Sequence, residues 1–380
     1  MSFEELDRGK LRLYPLAERK NKKRIEDDHV PVGQAPRKLD SSVREVLDEA
    51  LERIRAAREH GRPVMLAFGA HAIKNGLGPV LAQLIVRGWC THLATNGAGV
   101  IHDWEFAFQG ETSEDVRANV AAGSFGLWQE TGWYINLALN VGAYEGRGYG
   151  ESVGALIHND GLDIPERTTL EQEIACARED PRKAAAAADL LDRIDRFGLE
   201  PGFHAVEHPF KQYSAQAAAF RMGVPFTSHP MFGHDIIYTH PMNCGAALGR
   251  VAERDFLRFA AEVSRLRGGV YLSVGSAVMS PMVFEKSMAM AQNLALQRGE
   301  RIEGHAIYVV DLAESTWDWS QGEPPEDRPE YYLRYAKTFS RMGGHMRYLQ
   351  LDNRDFFLYL LRQGEGLRFP ISSDAQEKGR

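Results

Sequence analysis

The chain has 380 residues, enough to bury the core of one large domain or of two ordinary ones. Hydrophobic residues make up 44% and charged residues 26%, as is typical of a globular protein. The net charge of −7 argues against nucleic-acid binding, and no apolar run is long enough to span a membrane. Three cysteines without paired spacing exclude a disulfide framework, so we expect a cytoplasmic protein.

Residues 1–40 differ in composition from the rest of the chain. The segment "RKNKKRIEDD" sets a basic run beside an acidic one, and little apolar material surrounds it. This composition predicts a flexible or loosely packed N-terminal arm. Residues 41–380 contain no repeat and no strong change of composition, which predicts a single domain.

Apolar residues at helical spacing predict a helix over 41–61, where the domain begins. The following segments predict a strand at 63–70, a helix at 76–89 and a strand at 90–97. The same rhythm then predicts strands at 133–139, 224–229, 269–276, 306–312 and 346–352, and helices at 113–128, 182–198, 253–268, 282–299 and 329–343. This alternation predicts an α/β fold with a doubly wound, mostly parallel sheet and helices on both faces.

Three predicted strands end in small or polar residues. The ends are Gly69-Ala70-His71, Thr95-Asn96-Gly97-Ala98-Gly99 and Val274-Gly275-Ser276-Ala277. Ligands of doubly wound sheets lie beyond the carboxyl ends of the strands, and small side chains let a pyrophosphate or ribose approach the backbone. Tight turns without a ligand explain the same residues, and neither G-x-G-x-x-G nor the P-loop pattern is present.

The middle of the chain holds a glycine-rich stretch and a cluster of histidines. Residues 142–154 are typical of a surface loop, with an active-site loop as the alternative. The histidines are His204, His208, His229, His234 and His240. On a helix His204 and His208 would share one face, as metal ligands do, and Asp235 would add a carboxylate. Prolines on both sides favour ordinary loop histidines, so a metal site is the alternative.

A lysine near the C-terminus lies on a predicted helix among aromatic residues. Lys337 follows Tyr331 and Tyr335 closely, and Arg334 lies in the same turn. A desolvated lysine can lose its proton, and the free amine attacks carbonyls or imines. A solvated lysine on an amphipathic helix is the alternative interpretation.

Four segments together resemble the deoxyhypusine synthase family. The first is "KNGLGPVLAQLIVRGWCTHLATNGAGVIHDWEF", which is similar to that family's early helix, strand and T-T-A-G-G-V-E-E-D segment. The others are "SVGALIHNDGLDIPERTTLEQ", "GHDIIYTH" and "RPEYYLRYAK", which are similar to its N-L-L-V-P-N-D-N-Y, G-D-M-I-F-F-H and R-P-D-E-A-V-S-W-G-K segments. The order and spacing of the segments carry the resemblance, which covers residues 60–362.

The resemblance implies a Rossmann-like fold, a homotetramer, NAD as cofactor and an amine substrate. The family oxidises spermidine with NAD, captures the aminobutyl group on a lysine as an imine, and passes it to an acceptor amine. Lys337 matches that lysine, and Asp235 matches a polyamine-binding carboxylate. The positions that match NAD contacts of the family are Ala70, Thr95, Gly97, Ala98 and Gly275. Asn96 and Ser276 lie in the same turns, and we predict that they also bind the nucleotide.

The chain departs from the family in the amine pocket. His102 and Tyr331 stand where the family has glutamates, and Tyr335 replaces a tryptophan. Several carboxylates offset the desolvation of a polyamine, so these changes predict a different amine, a different acceptor, or both.

The leading hypothesis is therefore an NAD-dependent aminoalkyl transferase acting through Lys337. Asp103 and Asp235 would bind the ammonium of the substrate, with Tyr331 and Tyr335 beside it, and His102 would move a proton. The alternatives are a non-catalytic NAD-binding regulatory protein and a metal-dependent hydrolase that uses the histidine cluster.

Overall fold

The computed structural model describes residues 3–371. The strands of this part are β1 (Asn21–Arg24), β2 (Val64–Phe68), β3 (His92–Thr95), β4 (Glu111–Glu114), β5 (Gly161–Ile164), β6 (Gly202–Ala205), β7 (Phe226–Ser228), β8 (Val270–Val274), β9 (Ala306–Asp311) and β10 (His345–Gln350). Six of them form a parallel sheet in the order β10-β9-β8-β2-β3-β7. From β2 the chain adds β3 and β7 on one side of the sheet, and from β8 it adds β9 and β10 on the other side. The strand order therefore reverses between the neighbours β2 and β8.

Helices cover both faces of this sheet. They are α1 (Ile25–Asp28), α2 (Ser41–Glu59), α3 (Ala70–Lys74), α4 (Gly78–Val86), α5 (Gly97–Gln109), α6 (Val116–Ala121), α7 (Gln129–Glu145), α8 (Tyr149–Asn159), α9 (Arg167–Ala175), α10 (Pro181–Phe197), α11 (Ala215–Met222), α12 (Gly245–Val263), α13 (Met279–Gln297), α14 (Arg334–Ser340) and α15 (Asn353–Gln363). Within residues 3–371, no helix combines the length and the apolar character that a membrane crossing requires.

Alternating side chains of the central strands feed two separate hydrophobic cores. Along β2, Leu66 and Phe68 belong to the core that α2, α4, α5, α8, α11 and α15 cover. Met65 and Ala67 point to the opposite core, beneath α13, α14 and the second half of α12. Burial on both sides explains the nearly continuous apolar runs of these strands. The predicted doubly wound, mostly parallel α/β fold is confirmed.

Two predicted elements differ from the structure. The strand predicted at 133–139 lies inside the helix α7, and the helix predicted at 113–128 is reduced to the short α6. Helix α7 is buried on almost every side, so its apolar residues show no helical period and resemble those of a buried strand. Asn136 and Asn140 fit this interior because their side-chain amides donate to backbone carbonyl groups.

The N-terminal arm is packed against the domain, so the prediction of a loose extension was wrong. Leu16, Ile25 and Val30 are buried in the first core. Strand β1 pairs with β4 in antiparallel fashion. The guanidinium of Arg19 donates two hydrogen bonds of 2.7 Å to the carboxylate of Glu105 in α5. The buried charge of Arg19 is therefore balanced by a carboxylate 86 residues away. Such a partner cannot be recognised from the neighbouring charges in the sequence.

We predict that Arg19→Ala lowers the free energy of unfolding by about 3–5 kcal/mol, because it leaves the Glu105 carboxylate buried without its partner. Chemical denaturation measures this loss. Lys22→Ala is the control, because Lys22 pairs with Asp115 while both side chains are at least half exposed, and it should change stability by less than about 1 kcal/mol. Equal effects of the two substitutions would contradict a structural role for the buried pair.

Candidate functional site at the carboxyl edge of the sheet

The predicted nucleotide-binding residues come together at one edge of the sheet. Ala70 follows β2, Thr95 ends β3, and Asn96 precedes Gly97 and Ala98 in the first turn of α5. Gly275 and Ser276 follow β8. Because β3, β2 and β8 are neighbours, these seven residues line adjacent strand ends at the point where the strand order reverses. This is where doubly wound sheets bind ligands.

Close packing of the chain against itself explains most of the small residues there. A Cβ atom at Gly69 would collide with the carbonyl of Gly275, and one at Gly99 would collide with Thr95. A Cβ atom at Gly97 would collide with the carboxyl group of Asp235. At these three positions the absent side chain makes room for the protein itself, not for a ligand as the sequence suggested.

Gly275 differs from the other glycines of this edge. It is exposed, its φ is +59°, and the nearest atom to an added Cβ is the Asn353 side-chain nitrogen at 3.9 Å. A left-handed backbone at a strand end favours glycine. Gly275 is exposed, but its amide already donates to the Val310 carbonyl at 2.8 Å and its own carbonyl packs against Gly69.

Asp103 has a structural role, which corrects the prediction that it binds substrate. Its carboxylate is 1% exposed and accepts hydrogen bonds from the Ser214 hydroxyl (2.5 Å) and from the amides of Ala215 (3.1 Å) and Gln216 (3.1 Å). The Gln216 side chain donates a further bond of 3.0 Å. These partners satisfy the first turn of α11, and a carboxylate so occupied has no oxygen to offer a ligand.

His102 belongs to a polar network inside α5 and β4. Its Nδ1 lies 2.8 Å from the hydroxyl of Thr112, which in turn donates to Glu105. Burial lowers the pKa of His102 to about 4, so the imidazole is neutral at pH 7. A role of His102 in proton transfer stays a prediction.

Asp235 lies directly on the first turn of α5, where its carboxyl group contacts Gly97. Burial raises the pKa of Asp235 to about 6, against the opposing effect of the neighbouring His234. Its Oδ2 is buried and has no hydrogen-bond partner among the described residues. The hydroxyls of Tyr149 and Tyr238 share this property, and the charge of Asp235 contributes to raising the pKa of both. Asp235 thus retains the free carboxylate oxygen that an ammonium ligand requires.

Lys337 lies on the other half of the edge, beside the loop that follows β9. Its Nζ is 3.4 Å from the centroid of the Tyr331 ring and 3.7 Å from the Glu323 carboxylate. An aromatic face and a carboxylate are both favourable contacts for a lysine side chain. The hydroxyl of Tyr335 lies 3.2 Å from that of Tyr348, away from these contacts. The predicted proximity of Tyr331 to Lys337 is confirmed, whereas Glu323 was missed because it lies 14 residues earlier in an irregular loop.

The histidine cluster does not form a metal site in the described part of the chain. Strand β6 ends at Ala205, so His204 and His208 do not share a helix face. His208 is buried against Trp104 and Phe108, whereas His234 is exposed. Residues 3–371 contain no group of three or more His, Cys, Asp or Glu side chains that could hold a metal ion. The alternative of a metal-dependent hydrolase therefore has no structural support within these residues.

Two residues of this edge were missed by sequence reasoning. Tyr149 lies in the glycine-rich stretch that resembled a surface loop, but it is the first residue of α8 and fully buried. Tyr238 lies in the short 3₁₀ helix Ile236–Thr239, one turn after Asp235. Aromatic residues beside a carboxylate are a weak sequence signal, since most buried tyrosines pack in cores.

No family model matches the chain, and no curated protein matches it. Among solved structures, AgrE in a ternary complex with ornithine and NAD+ is 14% identical with a TM-score of 0.41, and the match covers 86% of this chain and 33% of AgrE. ArgZ, an arginine dihydrolase from cyanobacteria, is 13% identical with a TM-score of 0.40, over 87% of this chain and 34% of ArgZ.

A putative LOR/SDH protein from Methanococcus maripaludis S2 is 11% identical with a TM-score of 0.39, over 88% of this chain and 72% of that protein. This chain matches about one third of the length of AgrE and of ArgZ. Likenesses this loose identify neither a family nor an activity.

We predict that Asp235→Asn stabilises the protein at pH 7.5 by about 1–2 kcal/mol. The folded pKa of about 6 lies above the ordinary value of 3.8, so stability is fully present below pH 3.8 and is lost as the pH rises through 6. The difference between the variant and the natural protein should grow from pH 4.5 to pH 7 and then level off, as measured by urea unfolding.

Asp195→Asn is the matched control. Asp195 is exposed and pairs with Arg167, which lowers its pKa, so its replacement should leave stability unchanged or reduce it. A variant of Asp235 that is less stable at pH 7.5 would show that the carboxylate is held by favourable contacts.

Proposed function

We propose that this chain is an NAD-dependent enzyme that acts on an amine, with the dinucleotide along the carboxyl ends of β3, β2 and β8. The observation that carries the proposal is the convergence of the seven predicted nucleotide-binding residues at the reversal of strand order. Dinucleotides bind across this crevice in doubly wound sheets. Asp235 at the same edge, whose Oδ2 has no partner within residues 3–371, supplies the negative charge that an amine requires.

The charge distribution indicates which residues would hold the phosphates. The Asp235 carboxylate occupies the first turn of α5, so it repels a second anion from Gly97. Ala70, Gly275 and Ser276 follow the neighbouring strands β2 and β8, and the side of Gly275 where a Cβ would stand is open. These three residues fit a pyrophosphate, whereas Ala98, which is partly exposed, fits the uncharged nicotinamide nucleoside.

Bound NAD would accept a hydride from the carbon that bears the amine, leaving that carbon as an imine. Asp235 would hold the ammonium of the substrate before this step. Its burial excludes water and strengthens the attraction between carboxylate and ammonium. The interior position of the Asp235 carboxylate therefore favours a positively charged substrate over a neutral one.

The finer form of the proposal is a deoxyhypusine synthase-like aminoalkyl transferase. The Nζ of Lys337 would add to the imine carbon, displace the departing amine, and hold the group as an enzyme imine. An acceptor amine would then displace Lys337, and return of the hydride would reduce the product. The match of Lys337 to the family's lysine and its half-buried position support this form.

A non-catalytic NAD-binding protein is the second candidate, and one observation favours it. The Nζ of Lys337 already contacts the Tyr331 ring and the Glu323 carboxylate, so it is not free to attack a carbon. Transfer requires this lysine as a nucleophile, whereas nucleotide binding does not involve it.

We predict that saturating NAD raises the melting temperature of the full chain by a few degrees, since ligand at a hundred times its Kd stabilises by about 2.7 kcal/mol. Ala98→Trp should abolish the shift, because a large side chain at the first turn of α5 blocks the edge. Ala289→Trp, at an exposed position of α13, should retain it. A cooperative melt without a shift in the natural protein would reject the nucleotide site.

We predict that Lys337→Ala reduces group transfer to background while NAD binding and amine-dependent NADH formation persist. The readout is transfer of a labelled alkyl group to acceptor amines, measured beside NADH absorbance. Lys286→Ala is the control, because Lys286 is an exposed lysine of α13. Transfer that survives in the Lys337 variant would reject the transferase form, and NAD binding without NADH formation for any amine would favour the non-catalytic candidate.

A further inference from the structure

Three buried polar atoms that lie near one another have no hydrogen-bond partner among the described residues. They are Oδ2 of Asp235 and the hydroxyls of Tyr149 and Tyr238. Tyr149 has an exposed fraction of 0%. Buried polar side chains almost always have a partner, because each unsatisfied one costs free energy. Three such atoms together mark a position for a polar group from outside the chain.

The backbone places these atoms from two separate elements. Asp235 and Tyr238 are one 3₁₀ turn apart, with the Tyr238 amide 3.4 Å from the Asp235 carbonyl. Tyr149 begins α8, and Asp255 holds this end of α8 against β7 by accepting bonds from the amides of Gly150 (3.0 Å) and Ser228 (2.8 Å). Hydrogen bonds to the backbone therefore fix both elements in place.

We infer that Asp235, Tyr149 and Tyr238 form a pocket for a single primary ammonium group. An ammonium group of this kind has three N–H donors, and the pocket offers one carboxylate oxygen and two phenolic oxygens as acceptors. The carboxylate balances the positive charge, and the phenols direct the remaining two donors. The inference rests on the proposed function in taking this ammonium to belong to the amine substrate.

The same geometry disfavours more substituted amines. Each methyl group on the nitrogen removes one donor and leaves one of the acceptors buried and unpaired, which is the most effective basis for rejecting an analogue. The pocket therefore selects one terminal primary amine and not an internal secondary amine of a polyamine.

The test measures binding of n-butylamine to the full chain in the absence of NAD, by calorimetry at pH 8. N,N-dimethylbutylamine and 1-butanol are the comparison ligands. We expect the primary amine to bind at least about tenfold more tightly than either, because each unpaired acceptor or lost charge weakens binding by this order. Equal affinity for the dimethyl compound would overturn the inference.

Tyr149→Phe and Tyr238→Phe separate recognition from a structural role. Each should weaken n-butylamine binding by about tenfold, while the melting temperature of the ligand-free protein stays the same or rises, because the hydroxyl has no partner to lose. Tyr332→Phe, at a side chain that is 73% exposed, should change neither quantity. A lower melting temperature with unchanged amine affinity would show that the hydroxyls serve the fold and would overturn the inference.

Failure of this inference and failure of the proposed function give different results. Selective binding of n-butylamine by a protein that does not bind NAD would support the pocket and reject the NAD-dependent enzyme. A clear NAD-induced shift in a protein that binds no primary amine would overturn the pocket and leave the nucleotide site intact.

Discussion

The carboxyl ends of β2, β3 and β8 approach so closely that no side chain fits between them, and the rest of the candidate site depends on this contact. Gly69 meets the backbone of Gly275, and Gly97 meets the carboxylate of Asp235. The helices that follow β2 and β8 belong to opposite faces, so they diverge from the contact and leave an opening above it. The strand order thus explains both the close packing of the strand ends and the opening above them.

Sequence predicted the central sheet well because burial on both faces imposes a clear pattern. Six predicted strands fall on strands of the central sheet. The predictions at 63–70, 90–97, 224–229, 269–276, 306–312 and 346–352 match β2, β3, β7, β8, β9 and β10. The same criterion failed at 133–139, because α7 is also buried on nearly all sides and its apolar run carries no period. The arm failed for the opposite reason, since its charged residues are satisfied by distant partners such as Glu105.

In the candidate site too, residues that depend on the local sequence were predicted, whereas residues that depend on distant contacts were not. The strand-end residues were identified because small residues after an apolar run are visible in the sequence. The prediction for Asp103 was wrong because its hydrogen-bond partner Ser214 lies 111 residues away in the sequence. No residue near Asp103 in the sequence indicates that its carboxylate caps a helix. Tyr149 was missed because only the folded chain brings the start of α8 beside Asp235. Which carboxylate caps which helix can be determined only from the tertiary structure.

Asp235 is an energetically unfavourable residue within the described chain. Burial opposes its ionisation, and its free oxygen gains no hydrogen bond there. Such groups persist in proteins because favourable contacts elsewhere stabilise the fold by more than they cost.

The order of the strands limits what Lys337 can do. The Asp235 carboxyl group contacts Gly97 after β3, and Lys337 contacts Glu323 in the loop after β9. The ends of β3 and β9 are three strand spacings, or roughly 14 Å, apart. A small amine held at Asp235 therefore lies over a different part of the edge from that loop. A substrate anchored by its terminal ammonium and extended along the edge would span this distance, with its reacting carbon near the crevice between β2 and β8. A transfer role for Lys337 thus demands an elongated amine, whereas a role limited to hydride removal places no such demand on its length.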